Sequence, residues 1–581
     1  MQLPSLSQLS RSRSSVNAFG GYQHTVACAE NECYEAENLS ARNYPALSPR
    51  LPRKWVANLA QPNGLFAKNG LLWVEGMALY YNAAEVGEVA DSPKSFCGIG
   101  TKVLIWPDKL CFDTSTLTLS SLGAYWESVG DVSFTLSFED GSDYVITSTG
   151  SEEPEEPTNG EFWLDTSGES DVLRVYSSAT ESWGAVETTY LKMSATGIGA
   201  AFAQYDTVAV NGVLSDVVGD VADTLNASLI VWDKGDDYLV VTGLLEANAI
   251  QSIEDGVITV EREIPDLDFI VQSDNRVWGC NSTENTLHAC KLGDPTNWNN
   301  YMGTAADSYV VTVGSDGIFT GAAVSLGYVL FFKESLMHKV YGTKPENYQV
   351  TTIACRGVQE GSAHSLVTVN ETLYYKATDA VMQYDGGLPS EVSEALGSTR
   401  YYSAVAGAAG GCYYIDMQTE EGEHSLFVYD LSNGLWQRED DAQMMDFVAV
   451  NQCLYALSAS GDIWAIGAEE SLSGTAEGSV RWSMETGDIG LYTSDYKTVS
   501  KLELRLEAES GASVLIEAQY DASGSWETLA RFTAQRKQMV LLPVIPRRFD
   551  HMKLRISGKG DITLYNMTKL LEQGSELRWQ T

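Results

Sequence analysis

The stretch 446–467, DFVAVNQCLYALSASGDIWAIG, constrains the fold more than any other part of the chain. Its alternating apolar, β-branched and aromatic residues predict three short strands, FVAV, LYALS and IWAIG. Asn451-Gln452 supplies one tight turn and Ser460-Gly461-Asp462 the next. Three strands cannot bury both of their faces alone, so the unit requires neighbours like itself.

Similar units recur at 65–81, 95–112, 267–293, 318–342, 365–386 and 401–430, with an apolar strand, a turn, an aromatic-rich strand, a turn and a further strand. About seven units spaced by roughly 35 to 45 residues predict a β-propeller, where radial packing leaves only short sheet edges. Residues 124–264 break the repeat with segments such as DVSFTLSFEDG and ASLIVWDKG. They predict one or two β-domains inserted in a surface loop, which a propeller accepts at little cost. From about residue 480, LELRLE, SVLIEAQYD, QMVLLPVIP and HMKLRISG alternate at turn-marked spacing, as in a β-sandwich. The expected class is all-β: a β-propeller of about seven blades with an inserted β-domain and a C-terminal β-sandwich. The expected divisions are 1–56 for an N-terminal arm and docking segment, 57–123 and 265–470 for the propeller, 124–264 for the insertion and 480–581 for the sandwich.

Charge narrows the function. With 37 basic and 78 acidic residues the formal net charge is −41, a surface that repels nucleic-acid phosphates and anionic membranes. DNA gripping is therefore not expected. Solubility, or an acidic conduit wall along which DNA passes without sticking, remains. No apolar run approaches the roughly 20 residues of a membrane span, and MQLPSLSQLSRSRSSVN lacks the apolar region of a secretory signal. Folding in the cytoplasm follows as an expectation.

The chemistry-bearing residues are scattered. Nine cysteines without repeated spacing fit reduced thiols in strands better than a disulfide framework. Cys28 with Cys33, and Cys280 with Cys290, lie near His24 and His288 but lack zinc-site spacing. Asp233, Asp236 and Asp237 in WDKGDDY read as a hairpin turn, since an EF-hand loop spaces its ligands differently. No metal or cofactor is expected. HExxH, GxSxG and GxxxxGK[ST] are absent, and no GxGxxG sits in a strand-to-helix context. SASGDIW at 458–464 and DASGSW at 521–526 match a sialidase repeat only in part. The many carboxylates leave a glycosidase pair open in principle, but the expected class is not an enzyme.

The N-terminal stretch carries a different kind of information. After a Ser/Arg-rich arm, expected to lie extended against another surface, comes FGGYQHTVACAENECYEAENLSARNYPALSPRLPRKW at 19–55. Pro45, Pro49 and Pro52 impose a stiff, extended path. Arg42, Arg50, Arg53 and Lys54 concentrate positive charge in an otherwise acidic chain. This layout resembles the start of podophage tail-nozzle proteins and of other tail-region proteins of tailed phages and prophages, especially in gut Clostridia. The residues that carry the likeness are Gly20, Gly21, Glu37, Asn38, Tyr44, Pro45, Pro49, Arg50, Pro52 and Arg53. KLELRLEAESGASVLIEAQYD, PRRFDHMKLRISGKGD and LEQGS are similar to the C-terminal part of the same proteins.

The resemblance implies a structural protein of the virion tail, a ring subunit at the nozzle, hub or tail tip around the DNA exit path. Its partners would be other copies of itself and neighbouring tail proteins, after synthesis in the host bacterial cytoplasm. Arg42, Arg50, Arg53 and Lys54 are then assembly candidates that dock on an acidic surface of the same or a neighbouring subunit. A solvated linker is the alternative. A second function also stays open: a tail-tip host-recognition module that binds surface glycan, with Tyr520 and Trp526 as stacking candidates. Arg547 and Arg548 are either partner contacts or plain exposed loop charges.

Overall fold

The computed structural model describes residues 10–573 except 169–170, 187–188, 214–224, 244–250, 255, 451–452, 468–474, 494–495 and 534–536. The expected Asn451-Gln452 turn and the first nine residues of the arm lie outside the described residues, as does 468–474 of AEESLSGTAEGS at 468–479, expected as a linker, whose Thr475–Ala476 is a strand paired with Trp55 and Lys54. Among the described residues the named elements are strands and short 3-10 turns such as Ala363–Ser365. The chain is all-β and built from many small antiparallel sheets. No helix among the described residues is long and apolar enough to cross a membrane.

The chain divides into two compact units. One takes in the described residues up to Lys94, then Ile318–Lys339 and everything from Val350; the other takes in Ser95–Gly317 with Val340–Gln349. In the first unit the repeated stretches form four-stranded meanders. Pro62–Ala67, Leu71–Glu75, Ala78–Tyr81 and Ala84–Glu88 make one, and Val367–Val369, Thr372–Lys376, Val381–Tyr384 and Ser390–Glu391 make another. A third runs through Tyr401–Ala409, Cys412–Thr419, His424–Asp430 and Leu435–Arg438. The 318–342 stretch opens with the hairpin Gly321–Ser325 to Tyr328–Lys333.

The stretch at 446–467 takes its neighbour from far away in sequence. Met444–Val450, Cys453–Ser458 and Asp462–Ile466 pair in order, and Lys54–Asn58 adds as the next strand, with Ile463 opposite Ala57. Gly461 makes the turn at φ 87°, close enough to Leu59 that a Cβ would meet its carbonyl oxygen at 1.9 Å. The chain then passes straight into the 62–88 sheet. Leu59, Leu65, Leu457 and Ile463 form a shared core, so the last sheet of the series packs on the first. Phe447, Leu454 and Leu426 do the same between the 444–466 and 401–438 sheets.

The sandwich does not stand apart from these sheets. One of its sheets orders Ser10–Val16, Ile562–Gln573, Lys497–Ala508 and Gln538–Leu542; the other orders Cys33–Glu37, Arg481–Thr486, Met552–Lys559, Ser513–Tyr520 and Glu527–Thr533. The N-terminal arm thus supplies an edge strand to each sheet. Trp482, Leu504, Ile516 and Ile556 belong to one continuous core with Tyr22, Phe427 and Trp436. The segment 19–50 fills the seam, adding Phe19, Leu39 and Leu47 to that core.

In the second unit, the 95–121 and 269–312 sheets pack face to face through Leu104, Trp106, Val277 and Trp298, although 147 residues separate them in the chain. The insertion between them has its own core of Phe134, Leu191, Val210, Val231 and Val241 inside an eight-stranded sheet. A smaller four-stranded sheet spans 146–185, including one parallel pair, Ile146–Gly150 with Phe162–Asp165. Asp236 and Asp237 sit in the hairpin between Ser228–Lys234 and Tyr238–Gly243.

Candidate functional site: a buried arginine clasp

The arginines of the N-terminal segment enter the molecule instead of facing solvent. Arg50 and Arg53 are 6% and 5% exposed. Both side chains converge on Glu439 and Asp440 in the seam beside the 401–438 sheet. Arg50 forks onto Glu477, donating from Nη1 to Oε2 at 2.7 Å and from Nη2 to Oε1 at 3.0 Å. Its Nε donates to Asn38 Oδ1 at 2.7 Å. Arg53 Nη2 reaches Glu439 Oε2 at 2.6 Å and Nη1 reaches Asp440 Oδ2 at 2.9 Å. Asp440 also faces Arg50 Nη2 at 3.3 Å, and the Arg53 backbone N–H donates to Glu477 at 3.0 Å.

Two guanidinium groups and three carboxylates form one network here, because none of these charges survives burial unpaired. Burial opposes ionisation of Asp440 and Glu477, yet the arginines outweigh it and hold both carboxyls below the usual range. The same balance keeps Arg53 more firmly protonated than a free arginine: burial works against its charge, and Glu439 and Asp440 prevail. Asn38 ties the network to the sandwich through a 2.9 Å bond from Nδ2 to the carbonyl of Arg481. A cavity of about 400 Å³ opens beside the clasp, walled by Leu51, Tyr414, Val428, Ile466 and the two arginines.

The other N-terminal candidates hold their places differently. Arg42 pairs with Asp561 and donates from Nε to the carbonyl of Pro49 at 3.0 Å. Lys54 is half-buried in its strand, in register with Ala465 and Ala476. Gly20 and Gly21 pass through a tight seam: a Cβ on Gly21 would lie 2.2 Å from the carbonyl oxygen of Trp436. Asn38 and the two glycines, known in the sequence only as parts of a resemblance, therefore converge on the same seam as Arg50 and Arg53.

The two glycan-stacking candidates are covered. Tyr520 is 4% exposed, and the Arg547 guanidinium lies 3.6 Å from its ring centroid. Trp526 is half-buried beneath Arg555, 4.0 Å from its centroid. Neither ring offers a bare face for a sugar as it stands. Arg547 also pairs with Glu527 at 2.8 Å.

The remaining titratable groups of note are buried. Asp416, 2% exposed, has its carboxyl pushed up to about 6 by burial, against the Met444 N–H and His424 that bond it at 2.9 Å each. Burial raises the Cys33 thiol to about 12 and the Cys28 thiol to about 11, away from the thiolate a nucleophile needs. All nine cysteines are free thiols. Among the described residues no cluster of three or more His, Cys, Asp or Glu is arranged to hold a metal ion.

No family model matches the chain, and no curated protein does. Solved structures with loose likeness include PorZ, a bacterial surface component of the type-IX secretion system of Porphyromonas gingivalis, at 10% identity and TM-score 0.24, covering 83% of this chain and 70% of that one. An exo-β-1,3-galactanase from Phanerochaete chrysosporium aligns at 8% identity and TM-score 0.21 over 51% of this chain and 95% of that one. BamB from Moraxella catarrhalis gives 12% identity and TM-score 0.23 over 43% and 82%. Likenesses this loose assign neither fold nor activity to the chain.

Proposed function

We propose that this chain is a structural subunit of a bacteriophage tail, assembled in several copies around the DNA exit path at the nozzle, hub or tail tip. In this reading the seven sheet-bearing stretches are the blades of one β-propeller. The protein is made in the host bacterial cytoplasm and carried into the virion, without catalytic chemistry of its own. The observation that supports it best is the use made of the segment resembling tail-nozzle proteins. Asn38, Arg50 and Arg53 lie buried in a network whose other members come from residues 439–477.

Such a clasp suits a load-bearing part. It pins residues 38–53 to residues 439–477, so that separating these two stretches must first break buried ion pairs. A strongly acidic protein around a channel also lets DNA pass without being held. The test is a cryo-electron-microscopy reconstruction of the intact particle, focused on the tail axis. The expected result is a closed ring of this chain around the DNA path. Isolated peripheral copies would overturn the reading in favour of host binding.

A further inference from the structure

The charge of this chain is divided very unevenly. Residues 57–479 hold 61 acidic and 17 basic side chains, a net −44. Residues 1–56 and 480–581 together hold 17 acidic and 20 basic, a net +3. The arm and sandwich are thus an almost neutral part of a strongly acidic molecule.

Within the sandwich, the outer face of the 481–559 sheet is polarised. Arg481 and Lys559 are directly opposite each other on neighbouring strands, followed across the sheet by Ser513. Arg531 lies one row along, opposite Leu515. All three cations are exposed, and the alternation of their strands turns them away from the core. None forms an ion pair with a described residue. Farther along this face Glu485 and Glu517 share Arg555, and Glu509 lies against Gly560 beside Lys559. Glu37, opposite Ser483, is the nearest acidic side chain to Arg481 by register.

Like charges directly across a strand pair repel, and in so acidic a chain an unpaired Arg-Lys pair would be the easiest place to gain a counter-charge. We propose that this face docks on the acidic 57–479 portion of a second copy, the contact being head-to-tail. A contact between two different surfaces of identical subunits closes into a ring when the rotation permits. The proposal rests on the ring reading above and names the surface that would build it. Charge complementarity of this kind speeds and orients association and weakens as salt screens it.

The experiment uses the purified full chain, its self-association followed by analytical ultracentrifugation at low and high salt. The pair Arg481→Glu with Lys559→Glu is compared with the neutral pair Arg481→Gln with Lys559→Gln. Both pairs are solvent-exposed and should leave the melting temperature unchanged. The wild-type chain is expected to self-associate at low salt, with the association constant reduced on the order of tenfold or more in the Glu pair and by less in the Gln pair. Association that ignores both the substitutions and salt would overturn the docking surface while leaving the ring reading intact. A wild-type chain that stays monomeric but binds labelled duplex DNA through Arg481 and Lys559 would overturn it in favour of a phosphate-binding face. The tail reconstruction judges the ring reading separately.

Discussion

The molecule attaches its two non-repeating parts in opposite ways. The sandwich shares a continuous apolar core with the 367–438 sheets, sealed by the buried clasp of Arg50 and Arg53. The insertion keeps its core to itself and is fastened to the 269–312 sheet by a small polar set. Asn297 Nδ2 donates across to Asp206 Oδ1 at 3.1 Å, and within the insertion Arg262 Nη1 holds Asp206 Oδ2 at 2.5 Å. The backbone N–H of Thr207 returns to Asn297 Oδ1 at 2.9 Å. A shared core makes two parts fold and fail together, whereas a polar fastening between separate cores lets one loosen while the other persists.

The largest effect is expected at the clasp. Arg53→Ala leaves Glu439 buried without its closest cation, a loss of about 3–5 kcal/mol. The sheets and the sandwich should unfold in one transition at a lower temperature, seen together by calorimetry and tryptophan fluorescence. Two separated transitions would show that the shared core does not couple them.

Asp206→Ala tests the other fastening and should cost about 3 kcal/mol, because Arg262 loses its carboxylate and Asn297 Nδ2 is left with its bond to Asp294. Here the damage is expected to be local. Hydrogen exchange should quicken at 205–207 and 297–300 while the strands around Phe134 and Val231 stay protected. Loss of protection throughout 132–260 would mean that the insertion depends on its neighbour after all.

Gly21→Ala places a methyl group against the Trp436 carbonyl in the seam between the N-terminal segment and the 401–438 sheet. Overpacking of this kind costs about 2 kcal/mol. The midpoint of denaturant unfolding should fall with no change in slope.

The inner parts of this architecture were legible because their side chains alternate. LYALS and IWAIG bury Leu454, Ala456, Ile463 and Ala465, and the pattern announces it. The outermost strands were not. Ala84–Glu88, Thr118–Ser121 and Ser390–Glu391 are short and largely exposed, so they carry no apolar period to read. The arm was the hardest part. SRSRSSV has the composition of a solvated tail, yet Ser10 pairs with Gln573 and Val16 with Met567 as a sheet edge. Backbone hydrogen bonds to a strand some 550 positions away leave no local signature. The clasp was half legible: Arg50 and Arg53 stood out by charge, while Glu439, Asp440 and Glu477 were three among 78 acidic residues.

The gentlest way to separate the two attachments is pH. Asp440 and Glu477 have folded-state carboxyls held below their unfolded values, so the unfolded chain takes up protons first as pH falls. Their contribution to stability is fully present above the unfolded carboxylate range, about pH 4, and drains away as pH drops through the lower folded values. The clasp's share of the melting temperature, the difference between wild type and Arg53→Ala, should therefore hold between neutrality and about pH 5 and decline below it. Arg53→Ala, which removes much of the cause of the Asp440 shift, should flatten that acid limb as well as lower the plateau. An acid limb of unchanged steepness in Arg53→Ala would place the titrating groups elsewhere and leave the clasp a fixed structural contact, indifferent to pH.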